Sequence, residues 1–508
     1  MFVAEGRAGW LAAEGVIRLP LWVVPPGVDL TPGRTVAVSL PGSGAGGDAP
    51  VRVELVYPEV TPAAMAGLAA AVRKACAASL ARLKTAEVVD WIDAAVARWL
   101  DPDYLPRQWA ERLLPLLTGY DAETVRLELK RLLRTFRRKE LWRFLDADFA
   151  NPDVLDAFRP GPAGGWVRAL GPRLLVHYLS GNVPGLSVWS LVMGLLVKAG
   201  TIAKPASGEP LMAVLFARTL ADIRPDLAGA LAVVPWRGGD EAVEAPLLAQ
   251  ADAVVAYGSD QAVAAIARRV PPHARFLRYG HRISFAVIGR EALAPDRYAD
   301  TCHRLADDIC VYDQQSCMSP QVVFVERGGA VAPAAFAALL AAEMERYQVR
   351  RPRGPVAAEE ALAIQSFRGA FAFSGAEGTR VFASTDDTAW TVVYHEEPGF
   401  APTPLNRSVH VHACDDVVTA VEAAAPYRPY LQSVGVAIHP ARLFPLAERL
   451  AELGVSRIAA VGEMTRAMAG WHHDGRPNLA DLVRFVDIEP SAERWAERLD
   501  ADVEWDGA

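Results

Sequence analysis

An α/β fold built on a mostly parallel sheet is what this chain predicts, and three observations carry that reading. Between residues 174 and 288 short apolar runs alternate with helical segments. Several of the runs end in turn-forming pairs such as Gly181-Asn182 and Gly258-Ser259. A length of 508 residues exceeds what one hydrophobic core supports, so two or three domains are expected.

The elements follow in chain order. Residues 35–40 and 51–56 are rich in Val and read as two strands. Between them, Gly42-Ser43-Gly44-Ala45-Gly46-Gly47 formally matches a dinucleotide-binding fingerprint. That fingerprint must open a helix, and here the glycines lead through Asp48-Ala49-Pro50 into another strand, so the stretch is read as a hairpin loop. From Pro62 to about residue 150 the pattern is helical. Thr61-Pro62 starts one helix with a capping residue and a proline at the first position, and Asp121 starts another. In the latter, Val125, Leu129, Leu132, Leu133 and Phe136 share one face, while Arg126, Lys130, Arg131 and Arg134 make the rest basic. Such a face can meet a membrane surface or ligand phosphates; a solvated face is the reading adopted.

From residue 174 the texture changes. Strands are expected at 174–179, 201–204, 231–234, 253–257 and 283–288, with helices at 186–199, 211–223, 240–250 and 260–269. In sheets of this kind ligands bind at the carboxyl ends of the strands, where Asn182, Lys204 and Gly258-Ser259 all fall. The second half repeats the theme less clearly, with strands near 322–325, 390–394 and 434–438 and helices near 333–346 and 444–453. Residues 352–355 and 398–404 read as loops.

Bulk properties narrow the partners. A net charge of −8 argues against nucleic acid as the main partner. Five cysteines, at 76, 302, 310, 317 and 414, do not form a disulfide framework and point to a reducing cytoplasm. Cys302 and Cys310 lack the close spacing of a zinc site and read as buried thiols. The start, Met1-Phe2-Val3-Ala4-Glu5-Gly6-Arg7, lacks a secretory pattern. The apolar run 183–197 is shorter than a bilayer span, so a buried helix and no transmembrane segment are expected.

Cys317 is the candidate nucleophile. It ends the polar stretch Asp313-Gln314-Gln315-Ser316-Cys317, just before the apolar run 322–325. A loop backed by a rigid strand is where a scaffold holds a reactive thiol. Upstream lie Gly181-Asn182-Val183-Pro184, Lys204-Pro205-Ala206-Ser207 and Tyr257-Gly258-Ser259. In this order the motifs resemble the aldehyde dehydrogenase superfamily, and within it the acyl-CoA reductase family typified by the fatty-acid reductase of bacterial luminescence. The tail Gly470-Trp471-His472-His473-Asp474-Gly475, with Leu479-Ala480-Asp481-Leu482 beyond it, extends the resemblance over roughly residues 100 to 490.

The resemblance implies an aldehyde dehydrogenase-like architecture. Residues 1–100 would form an N-terminal extension of strands then helix, 101–289 a Rossmann-type cofactor domain with preceding helices, 290–469 a second α/β domain carrying the cysteine, and 470–508 a tail. It implies reduction of a fatty acyl-CoA thioester to an aldehyde through an acyl group on Cys317, with coenzyme A released. A short-chain or carrier-bound acyl thioester, oxidation of a free aldehyde, and a non-catalytic acyl-binding scaffold are the alternatives. Asn182 and the backbone N–H of Cys317 would hold the oxyanion. Lys204 would contact the adenosine ribose, and Gly258 and Ser259 the pyrophosphate. Many NAD-preferring relatives carry an acid where this chain has Ser207, which leaves room for a 2′-phosphate and favours NADPH over NADH; Glu209, close by, works against that inference.

The glutamate with which hydrolytic relatives activate water has no counterpart in Leu277-Arg278-Tyr279-Gly280-His281-Arg282. Without a positioned base, water attacks a thioester slowly, which suits acyl transfer between thiols. Glu396 and Glu397 lie near the expected place of a nicotinamide-ribose glutamate, without reproducing the family phrase. His472, His473 and Asp474 either reach the site or form a structural Asp-Gly turn. An acyl-activating synthetase as partner and a homo-oligomeric state are further implications.

Overall fold

Two parallel sheets dominate the computed structural model, which describes residues 11–13, 16–40, 51–372 and 378–499. The N-terminal start and the glycine loop 42–47 lie outside the described residues. The first sheet runs Arg275–Tyr279, Ala253–Tyr257, Leu175–Tyr178, Thr201–Lys204, Leu231–Val233, all parallel. The inner strands are buried throughout or nearly so because helices cover both faces, which explains their unbroken apolar texture. Chain order moves outward from Leu175–Tyr178 to Leu231–Val233, then returns to the other side at Ala253–Tyr257. The carboxyl ends of Leu175–Tyr178 and Ala253–Tyr257 therefore flank a topological switch point, where such sheets bind ligands.

The second sheet has seven strands in the order Arg380–Ala383, Thr391–His395, Ser408–Cys414, Pro320–Glu326, Ile283–Ile288, Leu431–Ala437, Arg457–Ala460. Only the edge pair Arg380–Ala383 and Thr391–His395 is antiparallel. Arg275–Tyr279, Ser408–Cys414, Arg380–Ala383 and Arg457–Ala460 were not foreseen as strands. Each is short, rich in Arg or interrupted by His, so its apolar signal is diluted.

Helix Pro62–Ala78 is capped at Thr61, whose hydroxyl accepts from the Ala64 N–H at 3.2 Å. Met65, Leu68 and Val72 pack with Val176, Ile202 and Val254 of the first sheet. By length and composition alone the segment Pro62–Arg82 is apolar enough to cross a membrane; the sequence reading had singled out only 183–197. Within the fold its apolar face lies on the sheet. Helix Ser187–Leu196 is buried along its whole length, as expected. Helix Ala122–Arg134 begins at the Asp121 cap and buries Val125, Leu129 and Leu133. Two of its arginines pair with glutamates of the same helix, Arg126 with Glu123 at 2.7 Å and Arg131 with Glu128 at 2.5 Å.

The tail returns to the first half of the chain. Strand Arg484–Ile488 pairs antiparallel with Trp166–Leu170. Arg275 donates to the carbonyls of Asp481 and Val483 at 2.5 and 2.7 Å.

Candidate active site

Helix Tyr298–Cys310 ends seven residues before the candidate nucleophile, and the chain then makes an unusual bend. Tyr312, Asp313 and Gln314 have φ of 54°, 50° and 64°, three successive left-handed residues without a glycine. Each costs roughly 1–2 kcal/mol against the right-handed form, so neighbours must hold the bend. The Tyr312 hydroxyl donates to Glu128 at 2.8 Å, on the inner face of helix Ala122–Arg134. Asp313 accepts from Arg407 at 2.6 Å and from the Gly354 N–H at 3.1 Å. The Gln314 amide donates to the carbonyls of Pro320 and Ser408 at 2.7 and 2.8 Å, and its oxygen accepts from the Ser408 N–H at 2.8 Å. The partner segment is itself left-handed at Leu405, Asn406 and Arg407. Gln315 completes the facing contact by donating to Asn406 at 3.1 Å. Sequence reasoning found this loop by its polarity but missed the anchoring roles of Tyr312, Asp313, Gln314 and Arg407.

Asn182 is brought to the same loop. Its side-chain nitrogen donates to the Gln315 carbonyl at 2.7 Å, two residues before Cys317. Ser180 binds the amide oxygen, which fixes the side chain's orientation, and the Tyr120 hydroxyl donates to the Asn182 carbonyl at 2.6 Å. An amide nitrogen carries two hydrogens, so one remains for another acceptor. Ser284 donates to the Cys317 carbonyl at 2.7 Å and accepts from the Ser433 N–H at 3.2 Å, which ties the cysteine to two strands of the second sheet.

As a residue Cys317 is half-buried, with its sulfur on the inner side. Burial pushes the thiol up to about 11; Asp474 adds to the rise, and Gln432 and Arg282 work against it. Asp474 comes from the tail, at φ 53° in the Asp-Gly turn. It accepts from Arg282 at 2.9 Å and from Gln432 at 2.5 Å. Burial would raise its own carboxyl, but His473, Arg282 and Gln432 outweigh that and hold it low. The tail thus reaches the cysteine, and a carboxylate does act on the thiol, from residue 474 rather than from 277–282. It is clamped in an ion pair.

Beside it runs an aromatic stack. Tyr257 lies on Tyr279 at 4.7 Å, Tyr279 on His473 at 4.5 Å, and His473 against Trp471 at 5.0 Å. Burial raises the Tyr257 phenol, and Tyr279, Asp474 and Cys317 contribute further. Tyr257 therefore links the cysteine to the strand end that carries Gly258 and Ser259.

Gly258 and Ser259 are exposed, and the Ser259 hydroxyl caps helix Asp260–Ala267 by accepting from the Ala262 N–H at 3.2 Å. Lys204, on the far side of the central strand, holds its ammonium 5.8 Å from the Trp236 ring centre. Among the described residues no carboxylate lies within ion-pair distance of it; burial lowers its pKa, and the Glu244 charge works against that. Ser207 is exposed. Glu209 is turned inward: it accepts from the N–H groups of Leu211 and Met212 at 3.0 and 2.8 Å, and burial lifts its carboxyl to about 7. A partly buried, unpaired ammonium beside small exposed residues at the carboxyl edge of a parallel sheet fits a hydroxyl- and phosphate-bearing cofactor.

The family model described as "Acyl-CoA reductase (LuxC)" matches residues 80–485. The chain is 29% identical over 408 residues to the long-chain acyl-protein thioester reductase of Aliivibrio fischeri, covering 79% of this chain and 82% of that one. Among solved structures, an aldehyde dehydrogenase from Physcomitrella patens in complex with succinate superposes with a TM-score of 0.67 at 14% identity, over 92% of this chain and 98% of that one. Aldehyde dehydrogenase C from Pseudomonas syringae, in complex with NAD+ and octanal, gives 0.65 at 16% identity, over 92% and 96%. Matched over most of its length, this chain belongs to the acyl-CoA reductase (LuxC) family and carries an aldehyde dehydrogenase-like fold.

Proposed function

We propose that this protein reduces a long-chain acyl thioester to the aldehyde, using a nicotinamide dinucleotide and an acyl group held on Cys317. The observation that carries the reading is the locked cysteine loop, with the Asn182 amide hydrogen-bonded two residues from the thiol. In the first step the Cys317 sulfur attacks the acyl carbon, a new thioester forms, and the donor thiol leaves with the proton. Thiol-for-thiol exchange is nearly balanced, so the protein's task is mainly positioning. Asn182's second amide hydrogen and the Cys317 N–H hold the oxyanion that develops. The relative from Aliivibrio fischeri is named for acyl-protein thioesters, so a protein-borne acyl group stands ahead of acyl-CoA as donor. An acyl-activating synthetase is the class of enzyme that supplies such a thioester.

When bound, the reduced dinucleotide supplies the hydride. Lys204, Ser207, Gly258 and Ser259 would hold it, and the inward turn of Glu209 leaves Ser207 without a competing carboxylate, which favours NADPH. Asp474 is occupied by Arg282 and Gln432 rather than free to activate water against the acyl-enzyme.

The test is mass spectrometry of the intact protein after mixing with long-chain acyl-CoA or an acyl-carrier thioester, without cofactor. A covalent acyl adduct that disappears in Cys317→Ala supports the reading. No adduct with either donor overturns it and points to an acyl-binding scaffold.

A further inference from the structure

On the far side of the second sheet, three histidines converge that play no part in the chemistry above. His410 and His412 alternate on strand Ser408–Cys414, so both side chains leave the same face. The neighbouring parallel strand Thr391–His395 sets His395 in register with His412. One nitrogen of each ring lies within 4.8 Å of the others. The His395 and His410 rings meet through Nε2 and Nδ1 at 2.8 Å, and the His395 and His412 rings stack at 4.3 Å. We infer that His395, His410 and His412 form a binding site for a divalent transition-metal ion of the zinc class.

The donor set fits such an ion. Three imidazoles with a fourth position left for water is a zinc coordination pattern, and two nitrogens bound to tetrahedral zinc at ~2.1 Å sit ~3.4 Å apart. Binding would open the 2.8 Å His395–His410 contact to that separation and turn the stacked His395 and His412 rings toward a common point. A supporting group is already in place: His412 Nδ1 lies 2.8 Å from the Glu397 carbonyl oxygen. Donation there fixes the tautomer with the proton on Nδ1, leaving the Nε2 lone pair to bind, as partners around metal-bound histidines do. Phe371 and Phe367 pack edge-on against His410 at 5.3 and 5.0 Å. His410 and His412 are buried and His395 is half-exposed, which gives the ion a way in.

The position suggests the consequence. A Cβ at Gly399 would lie 2.8 Å from the His412 ring, so the backbone at Gly399 rests on the imidazole. A bound ion would pin that backbone, and with it Glu396 and Glu397, to the strand. The inference does not rest on the proposed reductase activity.

The test uses full-length protein stripped by a chelator and titrated with Co²⁺. Tetrahedral ligand-field bands saturating at a single equivalent, without a thiolate charge-transfer band, and displaced by Zn²⁺, are expected. They should persist in Cys317→Ser. His410→Asn and His412→Gln, checked for folding by far-UV circular dichroism, should each bind Co²⁺ at least about tenfold more weakly. X-ray absorption on zinc-loaded wild-type protein gives a readout independent of any variant: a nitrogen shell at ~2.0–2.1 Å with imidazole scattering is expected. Absence of the Co²⁺ bands at saturating metal, variants that bind like wild type, or a sulfur-containing shell each overturn the site.

Discussion

Cys317 sits in surroundings that oppose its ionisation. Burial and the Asp474 carboxylate raise the thiol to about 11, so near neutrality almost all of it is protonated. Only the thiolate reacts. Alkylation of Cys317 by iodoacetamide should therefore rise about tenfold per pH unit above neutrality and show no plateau until near 11. The sign for Asp474→Asn follows from the same charges: it removes an anion beside the sulfur and frees Arg282 to act on it alone. Faster alkylation at pH 8, measured by quantitative mass spectrometry of the Cys317 peptide, is expected; unchanged or slower labelling would contradict the electrostatic account. Asn182 makes a second residue-level claim. Removing an oxyanion donor typically costs about a hundred- to a thousand-fold in rate. Asn182→Ala should lower single-turnover acylation by that much, while acyl-thioester binding, followed by fluorescence, changes little.

Elements explain why the loop keeps its shape. Two left-handed triplets, 312–314 and 405–407, face each other and exchange side-chain bonds, with the Asp313–Arg407 pair almost fully enclosed. Truncating one member of a buried ion pair costs about 3–5 kcal/mol because the partner charge is stranded. Asp313→Ala should lower stability by this order in urea unfolding. Asp415→Ala, which breaks an exposed pair with Arg327, should cost no more than about 1 kcal/mol. Equal losses from the two would refute the assignment of the loop's strength to this pair. The loop's shape was not legible in the chain. Left-handed backbone is signalled by Gly, Asn or Asp, and of the three residues only Asp313 carries that signal, while Tyr312 and Gln314 carry none. The inner strands of the first sheet were legible, because burial on both faces leaves continuous apolar runs. Strand Ser408–Cys414 was not, since its alternating histidines read as polar until the neighbouring strand places His395 beside them.

At the scale of the whole molecule, the site is assembled from distant segments. Arg282, Gln432 and Asp474 meet around one sulfur although no local pattern links them. Cys317 and Asn182 stand out in the sequence as candidates because each lies in a short contiguous motif; this clamp does not, because only tertiary folding brings the tail back. The sheet topology makes a further claim. Its switch point sets Lys204 and Ser207 on one side and Gly258 and Ser259 on the other, so on the proposed reading a dinucleotide lying along that edge would meet position 207 with its adenosine half. With Glu209 turned inward as a cap for helix Met212–Ile223, an exposed serine beside an ammonium leaves room for the 2′-phosphate. Ser207→Asp would put a carboxylate against that phosphate, a like-charge contact costing several kcal/mol, while offering the ribose hydroxyls of NADH an acceptor. The ratio of kcat/KM for NADPH over NADH should fall by about tenfold or more. Glu209→Gln, whose side chain points into the core, should leave the ratio unchanged while lowering the melting temperature. A Ser207→Asp enzyme that keeps its preference, or a Glu209→Gln enzyme that changes it, would move the adenosine site elsewhere on the sheet edge.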